Sequence, residues 1–345
     1  MYLCDNRRHH LRSRISSMLL SYAGLFVGFC TLIITADYFV KGASALANNI
    51  GVSPLIIGLT IVGLGTSAPE MLVAGIASFD GNTGLAIGNA IGSNIANIGL
   101  VLGFSALVSP IFIQSSLLRR EFPVLLLVSG VSFLLVLDGE LSNIDGAILV
   151  IGLIAFLLWL VRSAKKSKGE LADSLETDLN DEIPRDISTS KASTYCLLGI
   201  VGLVLSSKLL VWAAVNIATH FGISDLVIGL TIIAIGTSLP ELAASITSIL
   251  KKEPDLALGN VIGSNLFNLL AVLCLPGLIH PGAVDSVVIT RDMPVMLLLT
   301  LFLYAISFGF GKEACIGRIK GLILATIFIT YMGTLYFDSV TTAII

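Results

Sequence analysis

Residues 58–102 read GLTIVGLGTSAPEMLVAGIASFDGNTGLAIGNAIGSNIANIGLVL, and residues 229–273 read GLTIIAIGTSLPELAASITSILKKEPDLALGNVIGSNLFNLLAVL. The offset is 171 throughout, without a gap, and 20 of the 45 positions are identical. Apolar helices share Leu and Ile by chance, but not GTSxPE followed by GNxIGSN at a fixed distance. The chain therefore contains an internal duplication, which is sought first because it decides the architecture. Each copy fills two hydrophobic stretches long enough to be helices.

The surroundings place those helices in lipid. Of 345 residues, 55% are hydrophobic and only 12% charged, and mean hydropathy is +0.95. Soluble domains carry about a quarter charged residues, so this chain cannot coat a water-facing surface. A net charge of −3 leaves no basic stripe for nucleic acid. The five cysteines are dispersed without CxxC and the four histidines lack HExxH spacing, which argues against disulfides and zinc.

A membrane-spanning helix needs about 20 mostly apolar residues. Ten stretches qualify, at 21–45, 54–79, 85–108, 120–137, 144–162, 194–219, 225–250, 256–279, 293–311 and 317–337. The fourth is the weakest, because Arg119 and Arg120 crowd its start. The expected fold is an all-α polytopic membrane protein of ten transmembrane helices in two five-helix repeats, 18–162 and 194–345. Between them, residues 163–193 hold 12 of the 43 charged residues and read as a flexible cytoplasmic loop.

Loops after odd-numbered spans contain 13 Lys or Arg, whereas loops after even-numbered spans contain only Arg291. The positive-inside rule then puts the odd loops in the cytoplasm and both termini outside. The tail at 1–17, with Arg7, Arg8, Arg12 and Arg14, conflicts with this. Translation from Met18 would remove the conflict and is the preferred explanation; otherwise the downstream bias outvotes the tail. Five crossings separate equivalent helices, so the two copies must be inverted. Inverted repeats place a binding site near the bilayer midplane, at their interface.

Three carboxylates sit well inside the predicted spans: Asp37, Glu70 and Glu241. The last two are symmetry mates within GTSxPE. One charge at the midplane costs at least about 2.5–3.5 kcal/mol on insertion scales, so a facing pair needs cations or protons to neutralise it. Two carboxylates match one Ca²⁺, a hard cation that takes six to eight oxygen ligands. Pro69 and Pro240 precede the glutamates and should kink each helix and free backbone carbonyls near Thr66-Ser67 and Thr237-Ser238. Those neutral oxygens suit Na⁺; alternatively the hydroxyls simply bond back to the helix. GSNxxN sets Ser93 with Asn97, and Ser264 with Asn268, on one helix face. Asn94 and Asn265 should point elsewhere, to bind freed backbone or line the route. Gly88, Gly92, Gly259 and Gly263 have the spacing of close helix packing. Asp37 and Lys41 can form an intrahelical pair, and Lys208 falls at the 171 offset from Asp37.

At the repeated GTSxPE and GSNxxN the sequence closely resembles the cation/calcium exchanger superfamily, and specifically bacterial inner-membrane calcium/sodium antiporters. The likeness spans nearly the whole chain, including LRREFPVLLLVSG, DGELS and SVVITRDMPVML. It implies an eight-helix core with the first and sixth helices, long and tilted, sliding across it. It implies Ca²⁺ ligation by Glu70 and Glu241 with Thr66 and Thr237. Sodium would be bound by Thr66, Ser67, Ser93, Thr237, Ser238 and Ser264, with carbonyls of Gly63 and Ala234. Asn97 and Asn268 take the remaining central polar positions. Some members, notably potassium-dependent ones, carry aspartate at the position of Asn268, so Asn here lowers the site's negative charge and argues against potassium dependence.

The expected function is secondary antiport of Ca²⁺ against Na⁺ in the inner membrane, with Ca²⁺/H⁺ antiport through the same residues as the alternative. A channel would repeat a charged ring around an oligomer, whereas one chain here supplies two inverted copies. Intramembrane enzyme constellations and a nucleotide-binding loop are absent from the sequence, so the chain is expected to be neither enzyme nor ATP-driven pump. No cofactor and no obligate protein partner are expected.

Overall fold

The computed structural model describes residues 18–35, 38, 41–42, 45, 49, 67–113, 115–166, 187–223, 225–250, 254–307 and 315–344. Helices occupy the described part of every span marked in the sequence. They are α1 (Met18–Thr35), α2 (Ala68–Phe79), α3 (Thr83–Val108), α4 (Ser115–Leu135) and α5 (Asn143–Lys166) in the first half. The second half has α6 (Thr189–Phe221), α7 (225–237), α8 (Leu239–Leu250), α9 (254–279), α10 (Val288–Ser307) and α11 (Arg318–Ile344). The seventh predicted span is thus two pieces, α7 and α8. Seven described helices are long and apolar enough to cross a membrane.

The two helices bearing GNxIGSN form the centre. Within their membrane windows 78% of residues are buried, against 22–36% in the other five long helices. Their sequences explain this, since glycine, alanine and small polar residues let neighbours approach on every side. A Cβ built on Gly92 would lie 2.7 Å from Leu230 Cα and 2.8 Å from Ala234 Cβ, so α3 and α7 touch nearly backbone to backbone. For Gly259 and Gly263 no described neighbour lies within 4 Å; the residues equivalent to Leu230 and Ala234, at 59 and 63, lie outside the described set. On the periphery, α1 crosses α6 at Gly24 and Gly28, which meet Trp212 and Leu210. Helix α6 has 33 residues, about 50 Å at 1.5 Å each, which exceeds the hydrocarbon thickness. It ends at Gly222, whose φ of 65° is the left-handed cap glycine tolerates best.

Two short antiparallel bridges tie the halves together. Strand β1 (Ile111–Phe112) pairs with β4 (Cys315–Ile316), and β2 (Glu140–Leu141) pairs with β3 (Gly282–Ala283). Strands β1 and β2 flank α4 and so mark its two ends. The 171 offset carries β1 onto β3, yet β3 lies beside β2, at the other end. Equivalent segments therefore sit at opposite ends of the bundle, as inversion requires.

The fourth weak span is helical, and its counterpart α10 begins earlier than its apolar run. Helix α10 takes in Asp292, which is fully buried and was absent from the sequence count of intramembrane carboxylates. Arg291 Nε donates to Asp292 at 2.6 Å, Tyr331 Oη donates to it at 2.9 Å, and Arg291 also pairs with Asp338 on α11. A charge matched in this way binds α10 to α11 and is invisible to a hydropathy window.

Candidate cation site between the repeats

At the second GTSxPE motif the helix is interrupted at Ser238, two residues before the proline, and at the first a helix begins directly after Ser67. Ser67 (φ −87°, ψ 0°) and Ser238 (φ −85°, ψ 2°) both occupy the sparsely populated bridge region. Pro69 and Pro240 fall in the first turn of the helices that follow, where a missing N–H is harmless. In the second half the kink expected at the proline is thus a stop at Ser238 and a fresh start. The break delivers Glu70 and Glu241 at new helix N-termini, where carboxylates are favoured.

Both glutamates are 0% exposed. Asn89 links their surroundings across the interface between the halves, touching the Glu70 carbonyl and Thr237 of the second motif. Glu70 Oε1 and Oε2, Glu241 Oε2, Ser67 Oγ, Ser238 Oγ and Asn97 Oδ1 are buried without a hydrogen-bond partner, as are both polar atoms of the Asn268 amide. Buried polar atoms in proteins are ordinarily paired. Carboxylates with unpaired hydroxyl and amide oxygens are the donor types of a hard cation. Among the described residues no three His, Cys, Asp or Glu cluster, so neutral oxygens must complete any coordination shell.

The remaining predicted residues line the same interface. Thr237 Oγ1 lies 3.4 Å from Ser93 Oγ and donates to the Ile233 carbonyl at 3.0 Å. Ser264 Oγ donates to Glu241 Oε1 at 3.4 Å. The Ala234 carbonyl accepts from Ser238 N at 3.1 Å and from Thr237 Oγ1 at 3.4 Å. Several of these contacts are long for hydroxyl bonds. Gly63, Thr66 and Asp37 lie outside the described residues. Lys41 and Lys208 are exposed, whereas both glutamates are fully buried.

Three features were not legible beforehand. Asn89, the second residue of GNxIGSN, donates from Nδ2 to the Glu70 carbonyl at 3.0 Å and accepts from Thr237 through Oδ1 at 3.4 Å. Its identity in both repeats was the available signal. Asn265, expected to point elsewhere, accepts from Asn97 Nδ2 at 3.1 Å. Finally, α3 and α9 each carry a π-helical turn starting at the last Asn of GSNxxN, at Asn97–Leu102 and Asn268–Val272. Such bulges recur at functional sites, and no residue type marks them in advance.

The family model described as sodium/calcium exchanger protein matches residues 20–162 and 191–337. The chain is 48% identical over 319 residues to CaxA of Alkalimonas amylolytica, covering 92% of this chain and 99% of that one. It is 41% identical over 322 residues to the inner membrane protein YrbG of Escherichia coli, covering 93% and 98%. Among solved structures it is similar to the sodium-calcium exchanger NCX_Mj soaked with Na⁺ and Sr²⁺. The TM-score is 0.63 and the identity 34%, over 92% of this chain and 98% of that one.

Proposed function

This chain belongs to the sodium/calcium exchanger family, and on that premise we propose that it exchanges Ca²⁺ for Na⁺ across the membrane by alternating access. Ions bind at the midplane between the two GTSxPE breaks. One observation carries the reading: each half sets a fully buried carboxylate in the same helical turn as a buried, unpartnered serine hydroxyl, Glu70 with Ser67 and Glu241 with Ser238. Glu70 and Glu241 neutralise one Ca²⁺, with Thr66 and Thr237 completing its shell. Two or more Na⁺ replace it on Ser67, Ser93, Ser238 and Ser264, together with the carbonyls of Gly63 and Ala234. Each occupied form cancels the buried charge, and the bare site does not. Crossing with ions bound is therefore cheaper than crossing without them, which couples the two fluxes. Asn97 and Asn268 supply neutral oxygen rather than charge.

The chain crosses the membrane ten times with both termini outside the cytoplasm, in the cell's inner membrane. Support comes from the basic residues of the odd loops and from the likeness to YrbG, named as an inner membrane protein. The deciding experiment is Ca²⁺ flux in sealed proteoliposomes under a Na⁺ gradient, and separately under a pH gradient with Na⁺ absent. Flux that follows Na⁺ supports the proposal. Flux that follows only the pH gradient replaces Na⁺ by H⁺ as the counter-ion.

A further inference from the structure

The 171-residue offset maps Asn97 onto Asn268 and Asn265 onto Asn94. Asn97 Nδ2 donates to Asn265 Oδ1, so the symmetry-related bond would run from Asn268 Nδ2 to Asn94 Oδ1. That bond is not made. Asn268 Nδ2 and Asn94 Oδ1 are both buried and lack a hydrogen-bond partner. Asn94 has turned its Nδ2 to Met296 Sδ at 3.5 Å, and a thioether is a weak acceptor. A donor and an acceptor that suit each other, on residues which the fold's own symmetry pairs, are both left unsatisfied.

The same one-sidedness recurs nearby. Asn89 Nδ2 donates to the Glu70 carbonyl, whereas Nδ2 of its counterpart Asn260 has no partner. Ser264 contacts the Glu241 carboxyl, whereas its counterpart Ser93 faces Thr237. Equivalent residues in the two halves thus hold different bonds in one conformation.

We propose that Asn265 and Asn94 are positioning residues, each gripping the central asparagine of the opposite half, and that the two grips alternate. The Asn97–Asn265 bond belongs to the conformation described here, and the Asn268–Asn94 bond to the oppositely open one. The grip has a chemical consequence. An amide offers a cation only its oxygen, and an acceptor holding Nδ2 turns Oδ1 the other way. Asn97 Oδ1 is accordingly buried and unpartnered, while Asn268 has neither end fixed. Exchanging the grips changes which half presents an oriented amide oxygen. In an inverted-repeat transporter such a swap of states between halves accompanies the change of access. The inference rests on the reading of this interface as the Ca²⁺ site.

The test is a set of double-mutant cycles in the full chain. Asn265→Leu and Asn94→Leu would be made alone and combined with Asn97→Ala or Asn268→Ala. Apparent Ca²⁺ affinity would be read from flux and from Ca²⁺-induced thermal stabilisation of purified protein. Each leucine variant should weaken Ca²⁺ by about fivefold to tenfold, the net worth of one buried amide hydrogen bond. The loss at residue 265 should vanish in the Asn97→Ala background, and the loss at residue 94 in the Asn268→Ala background. The crosswise pairs should multiply. Asn265→Ser and Asn94→Ser keep an acceptor and serve if leucine prevents folding. Independent multiplication in all four combinations overturns the proposal, as does coupling confined to Asn97 and Asn265. Wild-type protein without Na⁺-driven flux would instead defeat the functional reading, and Ca²⁺-induced stabilisation would still read the cycles.

Discussion

The charge count at the centre hangs on residue 268. With asparagine there, the described cluster has two carboxylates, which one Ca²⁺ cancels. Replacing Asn268 by aspartate adds a charge that Ca²⁺ leaves over, and a proton or a further monovalent cation must take it up. Asn268→Asp should therefore make Ca²⁺ flux more sensitive to acid and create a response to K⁺. Flux measured against pH, with and without K⁺, in both proteins tests this; superimposable profiles would show that Asn268 does not face the cluster. At this scale the sequence singled out the candidate carboxylates and hydroxyls through their identity across the 171 offset. It did not reveal Asn265 or Asn89. Their roles depend on where a neighbouring helix points an amide, which spacing along one helix cannot report. Asp292 escaped for a related reason: Arg291 and Tyr331 satisfy it, so its burial leaves no trace in an apolar run.

Among the elements, α3 and α7 meet backbone to backbone at Gly92 and Gly229, beside the contact of Ser93 with Thr237. A Cβ at Gly92 meets Leu230 backbone, which cannot move aside as a side-chain tip can. Gly92→Val should destabilise the protein by about 1–3 kcal/mol or more, the range for overpacked cores. It should also lower the thermal midpoint in detergent and depress Ca²⁺ affinity by separating Ser93 from Thr237. Gly75→Ala is the control, since its nearest atom, Leu275 Cδ1, is 3.8 Å away. There the helix propensity of alanine should leave stability unchanged or raise it by up to about 1 kcal/mol. Equal losses in the two variants would contradict this account. Helix positions were legible because lipid demands long apolar runs. The break at Ser238 falls in the Thr237-Ser238 pair where the sequence expected freed carbonyls, because a proline's effect is felt in the turn before it, while its own position opens a new helix.

For the whole molecule, the sequence expects inversion from five crossings between copies, and the bridges β1–β4 and β2–β3 set equivalent segments at opposite ends of the bundle, in keeping with it. Single cysteines at Asn82 and Lys252, in a background lacking native cysteines, should label from opposite sides of the membrane. Labelling from one side would refute the inversion. If more than two monovalent cations replace each Ca²⁺, the cycle also moves net charge, worth about 2.3 kcal/mol per elementary charge per 100 mV, and an inside-negative potential then favours Ca²⁺ export. All of this depends on the paired glutamates being the seat of exchange. The most direct measurement is Ca²⁺ uptake into Na⁺-loaded proteoliposomes by the wild type, Glu70→Gln and Glu241→Gln, each verified as folded by its elution and thermal transition. The account predicts rapid uptake by the wild type that collapses when the Na⁺ gradient is dissipated, and none above background in either variant. Wild-type rates in either glutamine variant would contradict it.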